Sequence, residues 1–174
     1  MRRPAAIAVA TVTVALLMSV AMCSRGVEST MASPSRAEPS ITDKVRRLER
    51  LDPCRLLTSA EVGQFGAATG EATVLADTPA CQWIFPDGRV VDVGLDDRNG
   101  VGALVVGAGK LTMTVVGQHD ARQVAENAGP GVCVVSLAVT PSSRVDVVAV
   151  VVMDTAAACG IANQVAKFVE PRLP

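Results

Sequence analysis

The chain has 174 residues and a mass of 17.9 kDa, with 16 Lys and Arg against 17 Asp and Glu, a net charge of −1 and a single His. Residues 47–174 carry 10 basic and 14 acidic side chains, and a mildly acidic domain lacks the phosphate-neutralising surface that nucleic-acid binding needs. One Trp, three Phe and no Tyr leave a core of Val, Leu, Ile and Ala, in which covalent cross-links gain value.

Arg2 and Arg3 precede an uncharged run from Ala5 to Met22, and Cys23 follows it directly. A basic start, an apolar stretch and small residues form the pattern of a secretory signal over residues 1–22. Val20-Ala21-Met22-Cys23 resembles a bacterial lipobox, in which the cysteine is diacylated and becomes the new N-terminus. Met22 departs from that pattern, which normally has Gly or Ala before the cysteine. Three outcomes stay open: a lipid anchor on Cys23, an uncleaved single-span anchor, and a cleaved secreted protein. The first is preferred and places the protein on the extracytoplasmic face of the cell membrane. Residues 23–46 hold almost no large apolar side chains, so they read as a flexible tether. Residues 47–174 are long enough for one exported domain with a single core.

Within that domain, Asp52-Pro53 reads as a helix N-cap followed by proline at the first helical position. Thr58 to Glu61 fits a capping box opening a short helix that Gly66 would end. Cys81–Phe85 and Arg89–Asp96 read as strands joined by the turn Pro86-Asp87-Gly88. Residues 101–108 are apolar and Gly-rich, and strand and helix cannot be separated there. Leu111–Val116 is a further strand. Val132–Val139 and Arg144–Met153 form the clearest hairpin, and the near-continuous Val of its second arm points to a strand covered on both faces. Asp154 then caps a helix over Thr155–Val169, whose Cys159, Ala162, Val165 and Phe168/Val169 recur on one side. Helices at both ends with strands between them predict an α+β fold: a single domain with a central antiparallel sheet flanked by N- and C-terminal helices.

Four cysteines in an exported domain imply two disulfides. Pairing helix with helix and strand with strand gives Cys54–Cys159 and Cys81–Cys133, and the sequential pairing Cys54–Cys81 with Cys133–Cys159 is the rival. No C-x-x-C pair exists and there is one His, so neither a zinc site nor a redox dithiol is expected, and no cofactor is implied.

The run Leu51-Asp52-Pro53-Cys54-Arg55-Leu56-Leu57-Thr58, then Cys81-Gln82-Trp83, Val132-Cys133-Val134-Val135 and Ala158-Cys159, with Ala162, Val165 and Leu173-Pro174, resembles a family of actinobacterial, largely mycobacterial, secreted lipoproteins whose domain has no assigned function. The resemblance covers residues 51–174. It implies an exported envelope protein with an antiparallel sheet flanked by helices, similar in plan to the Mog1/PsbP type of fold, and it supplies no catalytic residues.

His119, beside Asp120 and Arg122, is the one candidate for acid–base work, yet adjacent residues point apart on a strand and no nucleophile accompanies them. It reads as part of a solvated turn after Gly117. Asp96-Asp97-Arg98-Asn99-Gly100 holds half of a calcium loop without its spaced ligands and reads as a strand-exit turn. Asp92 and Asp146 fall in strands and read as edge or surface residues. Trp83 reads as a core residue packed on a disulfide, with a platform lining a ligand cleft as its second reading. Together these features predict a non-enzymatic, lipid-anchored envelope domain that binds a partner protein or a small apolar ligand. The alternatives are an envelope hydrolase built on His119 and Asp120, and a structural accessory subunit of a membrane complex.

Overall fold

The computed structural model describes residues 38–174. Cys23 and the signal segment, with the expectations attached to them, lie outside the described residues.

The first element is a helix, α1 (Ile41–Leu48), where the tether was expected to continue to residue 46. Ser40 accepts a hydrogen bond from the Asp43 N–H, and Asp43 stands in the first turn while Arg46 and Arg47 stand in the last. Cap and charges all agree with the helix dipole, and Leu48, fully buried, fastens the helix. The polar composition of the segment hid this. One anchoring side chain suffices where the neighbouring sheet supplies the rest of the core.

A 3₁₀ turn at Pro53–Arg55 follows, with the Asp52 carboxylate accepting from the Cys54 N–H. The capping box then opens α2 (Ser59–Val62), which ends at Gly63 rather than Gly66. Both carboxylate oxygens of Glu61 also accept from Arg172 Nη2, so the box ties α2 to the C-terminal segment.

Seven strands form one antiparallel sheet: β1 (Gly70–Leu75), β2 (Thr78–Ile84), β3 (Val90–Asp96), β4 (Lys110–Val116), β5 (His119–Ala125), β6 (Val132–Thr140) and β7 (Ser143–Val150). Their order across the sheet is β1-β2-β3-β7-β6-β5-β4. The helix α3 (Thr155–Val169) packs on β6 and β7. The α+β single domain with an antiparallel sheet is therefore as the sequence predicts. Two strands, β1 and β5, are additions, and His119 opens β5 rather than lying in a turn.

The core lies on one face of the sheet. Cys81, Val93, Val147 and Val135 stand in one row across four strands, and Trp83, Val91, Ala149 and Cys133 in the next. All eight are at most 3 % exposed. Ala158, Ala162, Val165, Ala166 and Val169 of α3 recur at helical spacing and close this face. Burying each Val fully contributes about 1.5–3 kcal/mol, which is how a core short of rings holds.

The second face differs from the expectation. The β7 strand alternates buried with half-buried positions instead of being covered on both sides. Among the described residues, the main core cluster draws on the helix-covered face alone. The β3–β4 connection, residues 97–109, crosses the other.

Both disulfides form, with the sequential connectivity Cys54–Cys81 and Cys133–Cys159. The preferred pairing of Cys54–Cys159 and Cys81–Cys133 is corrected by the strand order. Cys81 on β2 and Cys133 on β6 are separated by β3 and β7, which places them about 14 Å apart at the usual strand spacing. A disulfide spans a Cα separation of up to about 7 Å. Each actual bridge joins a sheet residue to the segment lying on it: Cys54 in the 3₁₀ turn to β2, and Cys159 on α3 to β6.

Candidate functional site

The open face of the sheet is where polar groups and a cavity meet. Two rows run across it: Gln82, Asp92, Val148, Val134 and Val124, and then Ala80, Gly94, Asp146, Ser136 and Arg122. The connection 97–109 is drawn down over these rows at three points. Asp96 Oδ1 accepts from the Arg98 and Asn99 N–H groups at 3.0 and 2.9 Å, folding the chain back as it leaves β3. Arg144 Nη1 donates to the carbonyls of Asn99 and Gly100 at 3.0 and 3.2 Å. Asn127, in the β5–β6 turn, donates to the Val105 carbonyl at 2.6 Å. Gly100 is required here, because a Cβ at this position would collide with the Pro141 carbonyl of the β6–β7 turn. The connection is thus a strap pinned at both ends.

Beneath the strap lies a cavity of about 420 Å³, whose apolar wall includes Leu75, Leu104, Val105, Val134 and Val148. That volume is within the usual range for small-molecule sites. Its polar end is built by Asp96, Arg144 and Asp146. The Arg144 guanidinium bridges Asp96 Oδ2 at 3.0 Å and Asp146 Oδ2 at 2.9 Å. Ser136 Oγ donates to Asp146 Oδ1 at 2.5 Å. Burial pushes the Asp146 carboxyl above its ordinary range, and the hydrogen bonds from Ser136 and Arg144 only partly offset that. Asp92, on the same face, is likewise raised by burial against the hydrogen bond from Gln82 Nε2.

These observations correct the reading of Asp92 and Asp146 as surface residues. Asp92 is 6 % exposed and both sit in central strands. Their neighbours Gln82, Ser136 and Arg144 supply the partners that make burial tolerable. The Ser136 hydroxyl is fully buried and its proton is committed to a carboxylate already bound by Arg144, so the pair orients and does not attack. The sequence signal for this cluster is Arg144-Val145-Asp146, opposite charges two apart in a Val-rich strand. That spacing puts both on one face.

The His119 site is separate. Glu170, at the end of α3, accepts from the Gln118 N–H at 2.9 Å and lies 3.1 Å from His119 Nδ1. The backbone N–H of Gln118 holds the Glu170 carboxyl below its ordinary range against some burial, with His119 adding to the effect. A larger, more polar cavity of about 670 Å³ adjoins this pair, with Lys44 and Asp120 on its wall. The partner of His119 is therefore Glu170 rather than Asp120, and no Ser, Thr or Cys lines this cavity. The constellation holds an acid and an imidazole without a hydroxyl or thiol on the cavity wall.

Trp83 is 3 % exposed and packs in the core, where it and Cys81 close over Gly70 of β1. A Cβ at 70 would collide with both the indole and the sulfur. This corrects the second reading of Trp83 as a cleft platform: its ring is used up in packing. Asp96 and Asn99 make the strand-exit turn and serve the strap. Among the described residues no cluster of metal-ligating side chains is present.

Residues 18–172 match the family model DUF3558, described as a protein of unknown function. No curated protein matches the chain, and no solved structure does.

Proposed function

The chain belongs to the DUF3558 family, and from its own geometry we propose that it is an exported, lipid-anchored binding domain that holds a small apolar ligand under the β3–β4 strap. The observation that carries this reading is the cavity itself. Its walls are mainly aliphatic, its polar end is a self-satisfied ion cluster, and its roof is a connection pinned by Arg144 and Asn127. An internally paired cluster places no demand for charge on the part of the ligand inside the cavity, so affinity there comes from apolar burial.

Export is supported by two disulfides, which persist in oxidising compartments, and by the signal-like residues 1–22. Cys23 is the residue proposed to carry the lipid and hold the domain at the membrane. Intact mass of membrane-extracted protein tests the anchor: a diacylglyceryl increment on a chain beginning at Cys23 is expected, and retention of residues 1–22 would refute it. The binding reading is tested by native mass spectrometry of the purified chain after exposure to a cell-envelope lipid extract. One bound species per chain is expected, lost in Val148→Trp, which fills the cavity. A ligand-free spectrum, or an unchanged one in the variant, would sink it.

A further inference from the structure

The ion cluster at the polar end of the cavity is closed on itself, but one cation on the same sheet face is not. Arg122 stands on β5 in register with Ser136 of β6 and Met113 of β4. Ser136 is the group that hydrogen-bonds to the cavity-lining Asp146. Arg122 is half-buried, and its Nε is shut away from solvent without a hydrogen-bond partner, the one such side-chain atom among the described residues. Asp120, two residues earlier on the same face, is exposed and makes no ion pair with it. A buried guanidinium nitrogen without an acceptor is costly, more so than a neutral group. The surroundings are apolar: Val124 beside it is fully buried, while Leu111, Met113 and Val115 of the edge strand β4 expose 40 to 65 % of their surface on this face.

Resting on the binding reading above, we infer that the ligand is an anionic amphiphile, its acyl chain lying under the strap and its carboxylate or phosphate held by Arg122. The geometry fits. Arg122 is two strands from Asp146, about 10 Å across the sheet, so a long-chain acid lying along the open face spans cavity and cation together. Val124 and Met113 would flank the first methylenes. Arginine is suited to this role because its planar fork bonds carboxylate and phosphate in two places while its stem stays on apolar surface. The Arg144 guanidinium cannot do the same, being fully engaged by Asp96, Asp146 and two carbonyls.

The test compares oleate with methyl oleate, which differ in charge and share the chain, by titration against the full protein and against Arg122→Met. The wild type is expected to prefer oleate by about tenfold or more, the range of a charge-assisted hydrogen bond. Arg122→Met should remove that preference while leaving methyl oleate binding unchanged. Arg122→Lys, which keeps the charge and loses the fork, should retain part of it and serves where the Met variant does not fold. Inorganic phosphate alone should fail to displace oleate; full displacement would mean an anion site with no chain attached and would overturn the proposal. An equal affinity of the wild type for both ligands, or a preference that survives in Arg122→Met, would also overturn it. Binding of neither ligand would sink the parent reading, an outcome distinct from loss of the charge preference alone.

Discussion

Glu170 and Gly117 are fitted to one another: the carboxylate at the end of α3 fills the space that a Cβ at residue 117 would take. Gly117 opens the β4–β5 turn with φ +57, a conformation that costs other residues about 1–2 kcal/mol. Placing the carboxylate there lets it accept from the Gln118 N–H and meet His119. Helix end and hairpin are thereby locked together by polar contacts in addition to the shared core of Val116, Ala121 and Val169. Gly117→Ala is expected to destabilise the domain by about 2–4 kcal/mol, adding the loss of those hydrogen bonds to the backbone strain. Urea unfolding measures it. In Gly117→Ala/Glu170→Ala the two losses should fall short of additivity by about 1 kcal/mol or more, because the smaller side chain vacates the contested space. Strict additivity would show that strain alone matters.

Arg144 is the cation on which the strap depends. Its side chain is 12 % exposed and its partners Asp96 and Asp146 are 5 and 21 % exposed. Arg144→Met should cost about 3–5 kcal/mol, since it strands two acidic groups in a largely buried setting. The same change frees the carbonyls of Asn99 and Gly100. Hydrogen exchange over residues 97–109 is therefore expected to accelerate in Arg144→Met beyond what its global stability explains. Uniform acceleration across the sheet would count against a pinned strap.

Acid titration should separate the two sites by sign. Glu170 has its folded-state pKa lowered, chiefly by the Gln118 N–H. Its contribution is complete above the unfolded value of about 4.3 and disappears as pH falls through the folded one. Asp146 has its folded-state pKa raised by burial. Its ionised form costs the native state stability above that value, and the cost is recovered as pH falls toward about 3.9. Relative to Glu170→Gln, the wild type should thus lose stability in strong acid. Relative to Asp146→Asn, it should gain stability on the way down from neutrality. Melting temperatures across that range, each variant against the wild type, read both slopes; slopes of one sign would refute the assignment.

What the sequence made legible follows the reach of the interactions. The caps at Asp52, Thr58 and Asp154 and the helix Thr155–Val169 depend on neighbours within four residues, and they stand where the pattern puts them. The β1 and β5 strands were not evident because neither alternates clearly. The β1 strand is an edge rich in exposed positions, and β5 mixes His119, Asp120, Arg122 and Gln123 with two buried aliphatics. Their pairing is enforced by Trp83 and Cys81 over Gly70 and by Val124 beside Val134, contacts that no local window contains. The candidate site was hidden for the same reason. Asp96, Ser136, Arg144 and Asp146 come from three strands, and only the crossing from β3 to β7 brings them together.

The disulfides offer the sharpest check on that topology. Each closes a loop of similar length, with sequence separations of 27 and 26, and the chain-entropy model gives each about 3.5 kcal/mol. Their structural consequences differ. Cys133–Cys159 clamps α3 to a central strand and closes the main core, whereas Cys54–Cys81 clamps a 3₁₀ turn to β2 near the sheet's edge. Non-reducing digestion should yield peptides joined as Cys54–Cys81 and Cys133–Cys159, and recovery of Cys81 joined to Cys133 would contradict the strand order. Cys133→Ala/Cys159→Ala should lose at least the entropic 3.5 kcal/mol or so and loosen α3, seen as faster hydrogen exchange at Ala162 and Val165. Cys54→Ala/Cys81→Ala should show a loss of similar size with α3 still protected. Exchange at α3 that rises equally in both double variants would mean that the helix is held by the fold as a whole rather than by its bridge.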